Sequence, residues 1–152
     1  MWQPKTLDHL AQRIYYSRDV TLKWRNHLSQ FEVLDPFIVL WTDGDGETRA
    51  QFTVKAGFVT NLSSIPQFAR SVFPQVSHHL QPAVVHDWLY EYDEGLTRLQ
   101  ADDMFLEAME AEGVAFWRRH VMYRAVRTFG EGDWRRRGKG GGPLDMDWDI
   151  LG

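Results

Sequence analysis

At 152 residues the chain is long enough for one domain with its own core, and its net charge of −4 lacks the basic surplus of a general nucleic-acid binder. No stretch approaches 18 consecutive apolar residues, so no transmembrane segment is expected, and the opening MWQPKTLDHL lacks the charged-then-apolar layout of a signal peptide. The absence of cysteine excludes disulfides and thiolate metal sites and is compatible with folding in a reducing compartment.

In chain order, residues 1–34 have mixed periodicity and read as an N-terminal extension, with a short helix near Leu7 to Tyr15. PFIVLW and RAQFTVKAGF are rich in branched and aromatic residues, and TDGDGE lies between them. Glycine supplies the positive φ of tight turns, so this segment predicts a β-hairpin over about 36–56, with one more short strand at most. A calcium-loop reading of DGDGE lacks the glutamate at the loop's twelfth position. VTNLSSIPQF follows as a loop. Pro82 then opens a helix over about 82–92, with Val84, Val85, Trp88 and Leu89 on its apolar side. Thr97 and Gln100 form a capping-box pattern that starts a second helix, about 98–112, with Gly113 placed to end it. VAFWRRHVMYRAVRTF predicts a third over about 114–129, stopped at Gly130. The fold class is therefore α+β: a hairpin packed with three helices in a single domain, 35–130. Residues 131–152 add a basic, Gly-rich linker, RRRGKGGGP, and an acidic aromatic end, LDMDWDILG. The chain holds seven Trp and nine Phe, and part of that surplus is expected to meet a partner. Trp134, Leu144, Met146, Trp148 and Ile150 are the partner-binding candidates.

The candidate site lies in AVVHDWLYEYDEG. On a helix His86 and Tyr90, four residues apart, share a face, and Asp87 turns to an adjacent one. Leu99, Asp102, Leu106, Met109 and Gly113 follow one helical stripe, opposite Asp103, Glu107 and Glu110, so Asp102 takes a core-facing position in an otherwise apolar row. A buried carboxylate is costly without partners. The short YDEGL connection folds the two helices antiparallel, which brings Asp102 within reach of His86 or Tyr90. Two readings stand side by side. A histidine oriented by one carboxylate beside another can activate water, with the spare acid holding a divalent cation. The same groups can equally satisfy one another and lock helix register. His78 and His79 are a distant option for a shared metal, and Arg118, Arg119, Arg124 and Arg127 read as a solvated face or as a surface for an acidic partner.

AGFVTNLSSIPQF (56–68), PAVVHDWLY (82–90) and the 101–130 segment ADDMFLEAMEAEGVAFWRRHVMYRAVRTFG together resemble a family of small phage and prophage proteins, domain-of-unknown-function family 1353, over roughly residues 35–130. The resemblance implies a phage or prophage origin and no particular activity. Members usually carry an acid where this chain has Asn61, which keeps an oxygen for a cation but loses the charge. His-Asp-x-x-Tyr on one helix, with an Asp followed three residues later by Phe on its neighbour, is also similar to the core of calcium-dependent His-Asp phospholipases. That likeness implies His86 as general base, Asp87 as the cation ligand, and Asp102 and Tyr90 as residues orienting the histidine. Disulfides and a glycine-rich calcium loop at the expected place are lacking.

Three functions follow as expectations. The first is a phage structural or assembly component, associated with the virion tail and made in the host cytoplasm, whose terminal extensions bind other phage proteins or further copies of itself. The second is a hydrolase that uses His86, Asp87 and Asp102 on a lipid or cell-wall ester. The third is an intracellular inhibitor of a host enzyme, acting through the acidic tail.

Overall fold

The computed structural model describes residues 2, 13–25, 30–61 and 80–134. The chain forms two compact units, Met1–Asn61 and Leu62–Gly152. Strands fill the described part of the first and helices that of the second, so the fold is α+β.

In the first unit β1 (Ile14–Tyr16), β4 (Phe37–Thr42) and β5 (Thr48–Val54) form one antiparallel sheet in the order β1-β4-β5. β2 (Leu22–Arg25), β3 (Gln30–Val33) and β6 (Val59–Thr60) form another in the order β2-β3-β6. β4 and β5 are the expected hairpin. Phe37 pairs with Val54 and Val39 with Phe52, and these four side chains are buried. At the turn Asp43 Oδ1 accepts the backbone N–H groups of Asp45 and Glu47 at 2.8 and 3.0 Å, and Gly46 takes a positive φ of 82°. The acidic loop is thus a hydrogen-bonded turn.

Two expectations need correction here. Ile14 and Tyr15 lie in a strand, where a short helix over 7–15 was expected; residues 3–12 lie outside the described residues. Ile14 pairs with Trp41 and Tyr15 with Leu40, so a β-branched and aromatic triplet takes its conformation from a long neighbouring strand. The β content is also larger than one hairpin and one short strand. β1, β2, β3 and β6 have two to four residues each, too few to display a period of two, and pairing supplies what local pattern cannot.

The second unit contains α1 (Leu80–Glu91), α2 (Arg98–Ala111) and α3 (Phe116–Phe129). Every residue of α1 from Gln81 to Tyr90 is buried, so this helix is enclosed on all sides. α2 starts as the sequence indicates. Gln100 N–H donates to the Thr97 hydroxyl, and the Gln100 side chain accepts from Thr97 N–H, closing the capping box. Gly113, at φ 76°, carries the turn into α3. Ala83, Phe105, Met109, Val114, Met122, Ala125 and Val126 form the core that joins the three helices. The buried side of α2 is Ala101, Asp102, Met104, Phe105, Ala108 and Met109, which turns the expected stripe. Leu99 is 50 % exposed and Leu106 only half-buried, while Ala101, Phe105 and Ala108 are buried. Asp102 keeps the inward position expected of it.

Candidate functional site

Asp102 is the hub of a network linking all three helices. Its Oδ1 faces His86 Nε2 at 2.7 Å and accepts the Tyr90 hydroxyl at 2.7 Å. Its Oδ2 accepts from Arg127 Nη1 at 2.7 Å, and Arg98 Nε stands 3.9 Å away. Arg98 donates to the carbonyls of Val126 and Arg127 at 2.9 and 2.6 Å and to the Tyr90 hydroxyl at 3.3 Å. One guanidinium thus ties the start of α2 to the last turn of α3, whose carbonyls carry the negative end of the helix dipole. The His86 ring lies between Tyr90 and Phe105, at centroid distances of 4.3 and 4.5 Å.

The charges follow from these contacts. Burial alone raises the Asp102 carboxyl, but the His86 hydrogen bond and charge, with the Tyr90 and Arg127 hydrogen bonds, outweigh it and hold it below its ordinary value. Asp102 is therefore ionised and can only accept, so the proton between it and His86 sits on Nε2. Burial first, then the Asp102 charge, push the Tyr90 hydroxyl far up, which keeps it a donor. For Arg127, burial works against the charged form, and the hydrogen bond to Asp102 reverses this and raises it. Asp103 accepts from Tyr123 at 2.6 Å and is half-buried; it is not part of a fully solvated stripe. Burial and that hydrogen bond push the Tyr123 hydroxyl up to about 12.

The structure thus brings His86, Tyr90 and Asp102 together as the spacing indicates. Sequence reasoning missed Arg98 and Arg127, and Arg127 corrects the reading of the α3 arginines as one solvated face. The signal was the buried carboxylate itself, which demanded a cation. Gly130 was also missed in its main role. Its φ of −78° is open to any residue, but a Cβ there would lie 2.7 Å from the Tyr90 hydroxyl and 2.5 Å from the Val126 carbonyl. Glycine at 130 makes room for the Tyr90 side chain.

Asp87 is buried on α1, and after burial its charge is what raises the Glu91 carboxyl. Asn61 is an exposed residue of the other unit. Among the described residues no group of three His, Asp or Glu is arranged to hold a metal ion. Trp134, expected to face a partner, is only 7 % exposed, with its ring edge-on to Tyr90 at 5.2 Å; the helical turn at 131–134 returns it to the helical unit. Leu144, Met146, Trp148 and Ile150, like His78 and His79, lie outside the described residues.

Chemically the network can hold a proton in place and a charge in balance. A general base needs a substrate or a water within hydrogen-bond reach, whereas the His86 and Asp102 side chains have no solvent-exposed surface. Among the described residues, one accessible apolar feature is the outer face of α3. Phe116 and Trp117 are 66 % and 55 % exposed, and Val121 continues the patch one turn on. Arg118 lies over the Trp117 ring at 5.3 Å, and Phe116 stacks on His120 at 4.0 Å. α3 contains no Asp or Glu, and Arg124 lies farther along the Trp117–Val121 side.

Residues 31–126 match one protein-family model, described as protein of unknown function (DUF1353). No curated protein and no solved structure is significantly similar to the chain. No helix among the described residues is long and apolar enough to cross a membrane.

Proposed function

We propose that this chain, which belongs to the DUF1353 family of proteins of unknown function, is a docking component of a phage or prophage assembly, joined to the virion near its tail, and that its His-Asp cluster is a brace with no catalytic task. The observation that carries this reading is the exposed Phe116–Trp117–Val121 patch, on a helix whose ionisable side chains are otherwise all basic or tyrosine. Monomeric domains seldom leave adjacent large aromatics in water unless they meet a partner, and Trp and Arg are the side chains that dominate such contacts. A partner surface with acidic and apolar groups fits the patch. Synthesis in the host cytoplasm, followed by incorporation into particles, accords with the lack of cysteine.

The hydrolase alternative requires solvent or substrate at His86, and the burial of both His86 and Asp102 weighs against it. The inhibitor alternative places function in residues 138–152, so a chain lacking them would lose it. The deciding experiment is co-sedimentation of the chain with phage particles, using a Phe116→Ser/Trp117→Ser variant. Both side chains are exposed, so the thermal midpoint stays within about 2 °C of wild type, while the bound fraction falls by at least about ten-fold. Undiminished binding at full stability overturns the reading.

A further inference from the structure

The helical unit separates its charges. From Leu80 to Thr97, α1 and the turn after it carry Asp87, Glu91, Asp93 and Glu94 and no Lys or Arg. α3 carries four arginines and no acid. Two of the four are committed within the unit, Arg119 to the Val114 carbonyl at 3.0 Å and Arg127 to Asp102. Among the described residues Arg118 and Arg124 form no ion pair, and neither does Glu91.

The acidic turn has a defined shape. Trp88 Nε1 donates to Glu94 Oε1 at 2.9 Å, the Trp88 ring packs against Tyr92 at 4.2 Å, and Asp93 Oδ1 accepts the Gly95 N–H at 2.9 Å. Tyr92 is nonetheless 43 % exposed. Burial, then the charge of Asp87, raise the Glu91 carboxyl; burial, then the charge of Glu91, raise the Tyr92 hydroxyl. A phenol and a carboxylate therefore stand side by side at the surface, and a cation brought to Glu91 relieves its repulsion with Asp87. The α3 face has the matching chemistry. Phe116, Trp117 and Val121 offer apolar contact for Tyr92, and Arg118 and Arg124 offer guanidinium groups for Glu91 and Asp93.

These two surfaces cannot meet within one chain. Arg98, just after the acidic turn, binds the last carbonyls of α3, whereas Phe116 and Trp117 open that helix. At 1.5 Å per residue the two ends of α3 are about 20 Å apart. The contact needs a second copy. We infer that copies of this chain associate head to tail, with residues 91–94 of one seated on the Phe116–Trp117–Val121 face of the next, and Glu91 and Asp93 facing Arg118 and Arg124. The inference rests on the proposal that this face binds partners, and it names the partner as the chain itself. Each copy then offers its turn to one neighbour and its α3 face to another, and repetition of that contact gives a ring or a filament.

The contact is smaller than the roughly 20–30 residues a side of a standard interface, so the full chain is studied by sedimentation velocity at high concentration. Wild type forms dimers and larger species, and high salt weakens their association by at least about ten-fold. Glu91→Lys/Asp93→Lys spoils the turn and Phe116→Ser/Trp117→Ser spoils the face, so each variant alone is monomeric. Their equimolar mixture retains one intact turn and one intact face, and forms a dimer that grows no further. A wild-type chain that stays monomeric, a single variant that associates as wild type does, or a mixture without the dimer overturns the inference. Co-sedimentation with particles is read separately. A monomeric wild-type chain that still binds them through Phe116 and Trp117 retires the self-contact alone, and binding indifferent to those two residues retires the docking function.

Discussion

Replacing Asp102 probes the brace at its hub. In Asp102→Ala the His86 Nε2–H and the Tyr90 hydroxyl lose their acceptor in a place without solvent. A buried donor left unsatisfied costs about 1–3 kcal/mol, so the two together cost about 2–6 kcal/mol. Arg127 is 31 % exposed and can rehydrate, so its loss is discounted to at most about 1 kcal/mol. The expected total, about 4 kcal/mol, is a large share of the 5–15 kcal/mol that stabilises a typical domain. Asp102→Asn keeps Oδ1 as an acceptor for both neighbours and turns an NH2 group toward Arg127; it should cost only about 1–2 kcal/mol. Urea unfolding at pH 7, with midpoints read at constant m, measures both variants. A cost below about 1 kcal/mol for Asp102→Ala, or equal costs for the two, would refute the network as drawn.

The same carboxylate predicts an acid limb. Its folded pKa lies below the ordinary value of 3.8, so its stabilisation is complete above that pH and is lost as the pH falls through the lower folded value; the stability gap between wild type and Asp102→Asn should narrow below about pH 4. Gly130→Ala forces a methyl group against the Tyr90 hydroxyl and the Val126 carbonyl, and a loss of about 1–3 kcal/mol is expected where helix propensity alone forecasts a gain; a stabilised variant would show that the close approach is absent. Thr97→Ala removes the acceptor of the α2 capping box and should cost about 1 kcal/mol, seen as a lower thermal midpoint.

Much of the helical unit was legible because its signals are local. Thr97 and Gln100 mark a start, Gly113 marks an end, and the spacing of α2 turns Asp102 inward. From that position alone a partner for Asp102 could be demanded, and His86 and Tyr90 were within one short connection of it. What escaped depends on three-dimensional proximity. Arg127 lies 25 residues from Asp102, and its helix carries several arginines with nothing in their spacing to single one out. Arg98 looks like an ordinary first-turn residue until the α3 carbonyls are seen beside it. Trp134 next to a basic linker reads as part of the tail, and only the helical turn at 131–134 returns it to Tyr90. β1 shows the same limit in the other unit, since a three-residue strand is specified by Val39, Leu40 and Trp41 across from it.

The central claim is that His86 is a sealed structural donor, and the slow exchange of its ring C2 hydrogen with deuterium, followed by mass spectrometry, measures that sealing directly. His120, on the surface of α3 and stacked on exposed Phe116, is the internal reference. The account predicts exchange at His86 at least about ten-fold slower than at His120 in the folded chain, and equal rates once the chain is unfolded. Matching rates in the folded chain would mean that solvent reaches the imidazole, and the brace would give way to an accessible His-Asp site.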